Sequence, residues 1–315
     1  MNLRRLGRSS LQVAPLAFGG NVFGWTVDEA TSFKLLDQFV SAGFNLIDTA
    51  NTYSRWAPGN SGGESETIIG KWLRQSRKRE QVIIATKVGM EMGPQDKGLG
   101  KPYILRSVED SLRRLQTDYI DLYQSHRDDT ATPLAETLEA YAQLVQQGKV
   151  RFIGASNFAA QRLEESLATS QQRGYPRYES LQPEYNLYER AGFEAALEPS
   201  CVEQGVGVIC YYALAAGFLS GKYRSEADLA QSVRGAGMKK FMNPRGMRIL
   251  DALDEVARQQ QTTPASVALA WLIARPSITA PIVSATNSAQ LAELIAGARL
   301  QLDQGSIERL NQASA

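Results

Sequence analysis

Residues 82–126, VIIATKVGMEMGPQDKGLGKPYILRSVEDSLRRLQTDYIDLYQSH, have the pattern of one strand, one helix and a second strand. The two ends, VIIATKV and YIDLYQSH, are nearly continuous apolar runs, which is typical of strands covered on both faces. Between them, after Pro102, apolar residues at steps of three and four form the stripe of an amphipathic helix: Leu105, Val108, Leu112 and Leu115. This unit predicts two parallel strands joined by a right-handed helical crossover.

The same alternation of apolar runs and helical patterns recurs along the whole chain. Eight runs are predicted as strands: VAPLAFGG from Val13, FNLIDTA from Phe44, VIIATKV from Val82, YIDLYQSH from Tyr119, VRFIGASN from Val150, SLQPEYN from Ser180, GVGVICYY from Gly205 and ITAPIVSAT from Ile278. Eight parallel strands that alternate with helices close into an α/β barrel of the (β/α)8 TIM type. Because no linker or low-complexity tract is visible, we interpret residues 1–315 as a single barrel domain.

Four further segments carry local predictions. LRRLGRSSLQV, before the first barrel strand, predicts a β-hairpin that caps the barrel floor. The stretch from about Gly217 to Arg245, after the seventh strand, is rich in Gly, Ser, Lys and Arg, and we predict a long mobile loop that acts as a lid. Thr132 is predicted to cap a helix that has Pro133 in its first turn, and Thr263 to cap another that begins with Pro264.

Composition limits the class of partner. The chain has 34 basic and 33 acidic side chains and no dense run of either sign, so neither nucleic acid nor an anionic membrane surface is expected. No apolar stretch is long enough to span a bilayer and the amino terminus lacks the apolar core of a signal peptide, so we expect a cytoplasmic protein. Cys201 and Cys210 are too few for a disulfide framework and have no metal-ligand companions, and we interpret them as reduced, buried thiols.

Three polar residues follow three successive predicted strands: Asp48, Lys87 and His126, which is the only histidine of the chain. In a (β/α)8 barrel the carboxyl ends of the strands form one rim, and that rim carries the chemistry. Tyr53 lies five residues past Asp48, close enough to lean over the same mouth. We therefore expect these four side chains to share one site.

This set of residue types suits the reduction of a carbonyl group. Hydride transfer leaves a developing alkoxide that needs a proton, and an unperturbed tyrosine, with a pKa of about 10, is a poor donor at neutral pH. We expect the Lys87 ammonium to lower the pKa of Tyr53 and Asp48 to hold Lys87. Ion-pair networks at barrel rims also occur without catalysis, so a purely structural role is the alternative.

No sequence motif indicates a nucleotide-binding fold of the usual kinds. Neither G-x-G-x-x-G after a strand nor G-x-x-x-x-G-K-[ST] occurs, so any dinucleotide is expected to be held by barrel loops. The ends of the later strands offer amide groups, an aromatic face and a seat for phosphate at a helix start: Ser156, Asn157, Gln182, Tyr211, Ser284 and Thr286.

Several longer motifs occur together in a fixed order: FNLIDTANTY, GGESETIIG, IATKVG, DYIDLYQSH, GKVRFIGASNF, LQPEYNLYER, YYALAAGFLSGKY and PASVALAWLI. On these motifs the chain resembles the aldo-keto reductases over nearly its whole length. Within that family it is most similar to the bacterial subgroup of aryl-alcohol-dehydrogenase-like enzymes and sugar or pyridoxal reductases. The β subunits of potassium channels are similar as well.

The resemblance implies a set of roles. It implies NAD(P)H bound without a Rossmann fold, Tyr53 as acid and base, and Asp48, Lys87 and His126 in support. It implies that Ser156, Asn157 and Gln182 hold the nicotinamide carboxamide and that Tyr211 stacks on the ring. The implied pyrophosphate loop contains Leu214, Leu219, Gly221 and Lys222, and the implied adenosine-phosphate segment contains Ser284, Thr286 and Gln290.

The chain departs from the family pattern at three places. Ala213 replaces a common proline, Leu294 replaces an asparagine that usually meets the adenine, and Thr286-Asn287 lacks a basic residue for the 2′-phosphate of NADP. NADP (NADPH) is the predicted cofactor by family habit, with NAD as the alternative. Arg234, in the long segment, is a candidate for the missing charge.

The substrate is predicted from the residues around the mouth. Trp25 and Trp56 are expected to wall the pocket, and Arg127 lies beside His126. We expect reduction of a small-molecule carbonyl substrate, a sugar, aromatic or pyridoxal-type aldehyde or ketone. Two alternatives stay open: a non-catalytic or slow NAD(P)H-sensing regulatory subunit, and a sugar or alcohol dehydrogenase working mainly in the oxidative direction.

Overall fold

A computed structural model of the chain describes residues 2–315. Ten strands are present in this range: β1 (Arg4–Arg5), β2 (Gln12–Val13), β3 (Ala17–Gly19), β4 (Leu46–Asp48), β5 (Ile83–Val88), β6 (Ile120–Ser125), β7 (Val150–Ser156), β8 (Tyr178–Gln182), β9 (Gly207–Val208) and β10 (Ile282–Val283). Eleven α-helices accompany them: α1 (Glu29–Ser41), α2 (Glu64–Ser76), α3 (Lys101–Leu115), α4 (Leu134–Gln146), α5 (Ala160–Arg173), α6 (Ala191–Glu194), α7 (Leu197–Gln204), α8 (Pro244–Gln259), α9 (Pro264–Ala274), α10 (Ser288–Arg299) and α11 (Gln304–Ser314).

Strands β3 to β10 form one parallel sheet, in the order β10-β3-β4-β5-β6-β7-β8-β9. The sheet curls until its two edges meet, because the backbone N–H of Ile282 donates to the carbonyl oxygen of Cys210 at 2.8 Å and Val208 bridges to Ile278. All eight predicted strands are present and the predicted (β/α)8 barrel is confirmed. The carboxyl ends of β4, β5 and β6 therefore lie side by side on one rim.

The amino-terminal hairpin forms the floor of the barrel, as predicted. β1 and β2 pair antiparallel, with Arg4 opposite Val13. Leu6, Leu11 and Val13 are buried and pack against Leu46 and other apolar side chains inside the barrel. This apolar plug closes the barrel at the end opposite the rim that carries the polar residues.

Helix α3 follows the predicted pattern, because Val108, Leu112 and Leu115 are buried and Leu105 is half-buried. A buried glycine on α2 sets how closely that helix approaches α3. A Cβ on Gly70 would lie 2.1 Å from the backbone oxygen of Arg114, so a side chain has no room there.

One of the two predicted helix caps is wrong. Thr263 caps α9 as predicted, since its side chain accepts from the backbone N–H of Ser266. Helix α4, however, begins at Leu134 with Pro133 in the cap position, and no side chain caps it. The hydroxyl of Thr132 instead donates to the carboxylate of Asp129 at 2.7 Å. Thr132 lies one residue before the observed cap position, Pro133.

The long segment between β9 and α8 contains regular structure that its composition did not predict. Three short 3-10 helices cover much of it: Ala215–Ser220, Glu226–Gln231 and Gly235–Phe241. Phe218 and Phe241 are buried and stack with ring centroids 5.3 Å apart, so the segment is packed on its own apolar contacts. Its mobility stays a prediction.

Within residues 2–315, none of the helices has both the length and the apolar character that crossing a membrane requires.

Candidate active site

The barrel brings four polar side chains to one place at its mouth. Asp48 is the last residue of β4, Lys87 lies in β5 and His126 directly follows β6. Tyr53 lies in the turn after β4, and the next residue, Ser54, anchors this turn because its hydroxyl donates to the carbonyl oxygen of Phe23 at 2.6 Å. We call Asp48, Tyr53, Lys87 and His126 the tetrad.

Lys87 is the centre of the tetrad. Its side chain is completely buried, and its ammonium donates to Asp48 Oδ2 at 2.6 Å, to the backbone oxygen of Thr49 at 2.8 Å and to Tyr53 Oη at 2.9 Å. These three contacts use all three ammonium protons. The lysine is therefore fixed in position and points at the phenol oxygen.

Asp48 has hydrogen-bond partners on both oxygens. Besides Lys87, Oδ2 accepts from the Tyr53 hydroxyl at 3.3 Å, while Oδ1 accepts from the side-chain amides of Gln182 at 2.9 Å and Gln124 at 3.3 Å. A buried carboxylate is tolerable when a cation and several donors surround it. The aspartate thus balances the Lys87 charge and is held from the far side of the barrel.

The electrostatics of Tyr53 differ from the expectation. Burial raises the pKa of Tyr53 well above 10.0, and the nearby negative charge of Asp48 raises it further. This direction is opposite to the predicted lowering of the Tyr53 pKa by Lys87, because removal of the phenol from water and the charge of Asp48 both favour the protonated form. At neutral pH the phenol accordingly keeps its proton.

Lys87 and His126 are also shifted by their surroundings. Burial lowers the pKa of Lys87, while the charge of Asp48 opposes this shift. Burial, with the positive charges of Lys87 and Arg127, holds the pKa of His126 well below 6.5, so the imidazole is neutral at neutral pH. The Nδ1 atom of His126 is buried and has no hydrogen-bond partner among residues 2–315.

Aromatic rings form one wall of the mouth. The ring centroids of Trp25 and Trp56 are 5.6 Å apart and those of Trp56 and Tyr53 are 6.0 Å apart. On the other side, the centroid of His126 lies 6.0 Å from that of Tyr53. The Tyr53 ring therefore packs near both an imidazole and a tryptophan ring, which form a surface on which a planar or apolar substrate can pack.

The first group of candidate cofactor residues forms a connected cluster beside His126. The side-chain amide of Asn157 donates to the His126 backbone oxygen at 2.9 Å and to Ser156 Oγ at 3.0 Å, and the Tyr211 hydroxyl donates to Asn157 Oδ1 at 2.8 Å. Asn157 is exposed and Tyr211 is half-buried. Gln182 is held differently, since its amide is directed at Asp48 inside the barrel.

The remaining candidates lie at two other places on the rim. Ser284 donates to the Gly19 backbone oxygen at 2.7 Å and so joins the end of β10 to that of β3. Thr286 donates from both its N–H and its hydroxyl to Gln290 Oε1 at 2.9 Å. In the long segment, Leu219 is buried, Leu214 and Gly221 are half-buried, and Lys222 is exposed.

These residues fit a nicotinamide dinucleotide. An accessible aromatic ring, an exposed amide and an exposed lysine are the donors and surfaces that a planar ring, a carboxamide and a pyrophosphate require. Leu294, one of the departures from the family pattern, is buried and offers no polar group. Arg234, the candidate for the missing basic residue, lies over the ring of Trp25, 5.2 Å from its centroid.

Two contributors to the site were not identified from the sequence. Gln124 and the backbone oxygen of Thr49 hold Asp48 and Lys87. Gln124 lies two residues before His126, and the period of two in a strand puts both side chains on one face, which is a usable signal. The backbone carbonyl of Thr49 gives no signal in the sequence, because every residue has a backbone carbonyl.

The profile of the aldo/keto reductase family matches residues 15–315. The chain belongs to the aldo/keto reductase family. Members generally use nicotinamide cofactors, and membership supports an oxidoreductase that reduces carbonyl groups.

Three relatives show the range of this family. The uncharacterized oxidoreductase YrpG of Bacillus subtilis is 37% identical, over 99% of this chain and 95% of its own length. The L-glyceraldehyde 3-phosphate reductase of Escherichia coli is 31% identical, over 93% of this chain and 86% of its own. A probable voltage-gated potassium channel subunit beta of Arabidopsis thaliana is 30% identical, over 93% and 90%. The predicted family and subgroup are confirmed.

Proposed function

We propose that this aldo/keto reductase uses NADPH to reduce small aldehydes or ketones to alcohols, with Tyr53 as the general acid. The observation that carries the proposal is the position of the Tyr53 oxygen, 2.9 Å from the Lys87 ammonium and 3.3 Å from Asp48 Oδ2. A protonated phenol at the mouth, with a fixed cation behind it, is arranged to give up a proton.

The protein side of the reaction follows from the tetrad. Bound NADPH supplies the hydride that reduces the carbonyl carbon. Tyr53 donates its proton to the carbonyl oxygen as negative charge develops there, and the Lys87 ammonium stabilises the phenolate that remains. The neutral imidazole of His126 donates a hydrogen bond to the same oxygen from the other side and orients it.

The proposal assigns the cofactor to the cluster beside His126 and to the two rim segments. Ser156, Asn157 and Gln182 would hold the carboxamide, and Tyr211 the ring. The pyrophosphate would lie along Leu214, Leu219, Gly221 and Lys222, and the adenosine phosphate near Ser284, Thr286 and Gln290. NADP is preferred by family habit, with NAD as the alternative. Gln182 would serve the carboxamide only by sharing or leaving its hydrogen bond to Asp48.

Substrates are proposed from the wall of the mouth. Trp25 and Trp56 favour aromatic or other planar aldehydes, and sugar and pyridoxal-type carbonyls are the other candidates. We also propose that residues 1–315 act as one domain, because β3 and β10, from opposite ends of the chain, pair directly. A cytoplasmic location stays a prediction.

The experiment is a comparison of Tyr53→Phe with the wild-type protein. NADPH oxidation is followed by absorbance with aromatic aldehydes, aldoses and pyridoxal, and NADPH binding by fluorescence titration. Turnover is expected to fall by orders of magnitude in Tyr53→Phe while the NADPH dissociation constant stays nearly unchanged. Tyr175→Phe, at a half-buried tyrosine before β8, is the matched control and should keep full activity.

The same measurements test the alternatives. If Tyr53→Phe retained wild-type turnover, the role of Tyr53 would be wrong. NADPH binding without turnover of any carbonyl would favour the regulatory subunit, which the 30% identity to a channel subunit keeps open. If NADP⁺ oxidised an alcohol faster at neutral pH than NADPH reduced the corresponding carbonyl compound, a dehydrogenase would be favoured.

A further inference from the structure

Arg234, in the long segment between β9 and α8, extends its guanidinium to the wall of the mouth. Its central carbon lies 5.2 Å from the ring centroid of Trp25. Trp25 packs edge-on against Trp56, which in turn packs against Tyr53. A continuous row of side chains thus leads from this guanidinium to the proposed proton donor.

The guanidinium of Arg234 is partly removed from water. The residue is half-buried, and burial lowers its pKa below the ordinary value for arginine, while the groups that oppose this shift are the hydroxyls of Tyr212 and Tyr223. Across residues 2–315, no aspartate or glutamate forms an ion pair with it. A partly desolvated guanidinium without a counter-charge costs free energy, and the Trp25 ring offsets only part of that cost.

Arg127 is a second arginine near the mouth that has no ion-pair partner among residues 2–315. Arg127 follows His126, and its positive charge adds to burial in holding the pKa of His126 low. Near Tyr211 the same charge only opposes burial and the negative charge of Glu184, which together raise the pKa of that phenol. The neighbouring carboxylate, Asp128, does not neutralise it within the described range, because Asp128 pairs with Arg162 at 3.0 Å. Two arginines near the mouth, Arg127 and Arg234, therefore have no ion-pair partner in the described range, and Glu184 is a carboxylate in the same region.

We propose that the substrate is an aldehyde or ketone whose far end carries an anionic group, a carboxylate or a phosphate, and that Arg234 binds this group. This inference rests on the proposed reductase function and adds the substrate class to it. The planar guanidinium presents paired N–H donors that match the oxygens of either group. The Trp25–Trp56 wall would lie along the middle of the molecule, and Arg127 would add long-range attraction.

A purely structural role for Arg234 makes a different prediction. If the arginine only clamps the long segment onto Trp25, its loss should affect charged and neutral substrates alike. If it binds the 2′-phosphate of NADPH, its loss should weaken NADPH relative to NADH. Only an anion-binding role predicts a loss confined to anionic substrates.

The experiment compares 4-carboxybenzaldehyde with its neutral methyl ester, methyl 4-formylbenzoate. Glyceraldehyde 3-phosphate and glyceraldehyde form the phosphate arm. The variants are Arg234→Met and Arg234→Lys, with Arg258→Met as the control for net charge, because Arg258 is exposed near the far end of α8. Steady-state kcat/KM is measured for each substrate, and titration calorimetry with 4-carboxybenzaldehyde gives its affinity without turnover.

The wild-type protein should prefer the anionic member of a pair. In Arg234→Met, kcat/KM for that member should fall about 10- to 100-fold, mainly through KM, with less than about threefold change for the neutral member. Arg234→Lys should restore part of the loss, and Arg258→Met should behave as wild type. NADPH affinity should stay unchanged in all variants.

Equal losses for the charged and neutral members would overturn the inference and leave a clamp, and a selective loss of NADPH affinity would reassign Arg234 to the cofactor. Absence of both 4-carboxybenzaldehyde binding and a preference for either anion would also overturn it. Turnover of the neutral aldehydes would still support the reductase function, so the two proposals can fail separately. A larger preference for the anionic member in the benzaldehyde pair would indicate a carboxylate substrate, and a larger preference in the glyceraldehyde pair would indicate a phosphate substrate.

Discussion

Gln182 and Asp48 are 134 positions apart in the chain, yet a hydrogen bond of 2.9 Å joins them across the interior of the barrel. The bond runs from the Gln182 amide to Asp48 Oδ1, opposite the oxygen that holds Lys87. The strands of the carboxyl-terminal half therefore fix the orientation of a carboxylate whose partners in the tetrad all precede residue 127.

Replacing Gln182 with Leu should weaken this arrangement. Asp48 Oδ1 would retain only the longer, 3.3 Å contact with Gln124, and a partly satisfied buried carboxylate costs about 1–3 kcal/mol in the free energy of unfolding. Urea denaturation measures the loss, and Gln124→Leu is the control with the smaller expected effect. A larger loss in the control would reverse this ranking of the two glutamines.

Removing the charge of Lys87 should be far more costly than removing an exposed lysine. Lys87→Met leaves Asp48 buried without its cation, and a loss of about 3–5 kcal/mol in unfolding free energy is expected. Lys71, whose side chain is 49% exposed and pairs with Glu29, is the matched control, and Lys71→Met should change stability by less than about 1 kcal/mol.

A double variant makes this prediction sharper. Asp48→Asn with Lys87→Met removes both charges, so its loss of stability should be smaller than the sum of the two single losses. Additive losses would mean that the buried pair is not energetically coupled.

The pH dependence of reduction should lack an inflection near pH 6.5. The pKa of His126 is held well below 6.5, so its neutral form persists as the pH falls through 6.5 and protonation reduces activity only at lower pH. On the alkaline side, activity should decline as Lys87 loses its proton, because its pKa is lowered whereas that of Tyr53 is raised.

A profile of kcat/KM against pH, with a neutral aldehyde, tests both limbs. A decline centred near 6.5 would show that His126 titrates as an ordinary, solvated imidazole.

Two glycines in helices should respond oppositely to alanine. In Gly70→Ala the new methyl group would meet the backbone of α3 at 2.1 Å, so α2 must move outward, and a loss of about 3 kcal/mol is expected. In Gly192→Ala, on α6, a Cβ meets nothing within 4 Å, and stability should stay level or rise by up to about 1 kcal/mol. Thermal denaturation of the two variants provides the comparison, and equal melting temperatures would contradict the close packing of α2 on α3.

Both thiols should be unreactive in the folded protein. Cys201 and Cys210 are buried, and burial raises the pKa of each to about 12, so almost no thiolate exists at neutral pH. A colorimetric thiol reagent should label neither cysteine in native protein and both after denaturation. Rapid labelling of one thiol in native protein would show that the segment around it opens locally.

The barrel was predictable because its strands are short apolar runs that differ clearly in hydrophobicity from the segments between them. The run Ile83–Val88 is buried along its whole length, and such a run in alternation with amphipathic helices has few other solutions. The shared rim of Asp48, Lys87 and His126 then followed from topology alone, without any knowledge of distances.

The remaining features depend on tertiary contacts that no local pattern encodes. The partner of Gln182 is set by the register of distant strands, and the pKa of Tyr53 by how much water the folded mouth excludes. The cap position of α4 is Pro133 and not the predicted Thr132, whose hydroxyl donates to Asp129. The 3-10 helices of the long segment are too short to leave a periodic signal.

The pairing of β3 with β10 has a consequence for the order in which the protein becomes functional during synthesis. The amino end of the chain leaves the ribosome first, so every member of the tetrad emerges long before residue 282, where the last strand closes the barrel. Until β10 pairs with β3 the sheet is open, and we expect Lys87 and Asp48 to be exposed to water. Nascent chains should therefore be inactive. We expect molecular chaperones to bind this open intermediate, because its two unpaired strand edges are exposed.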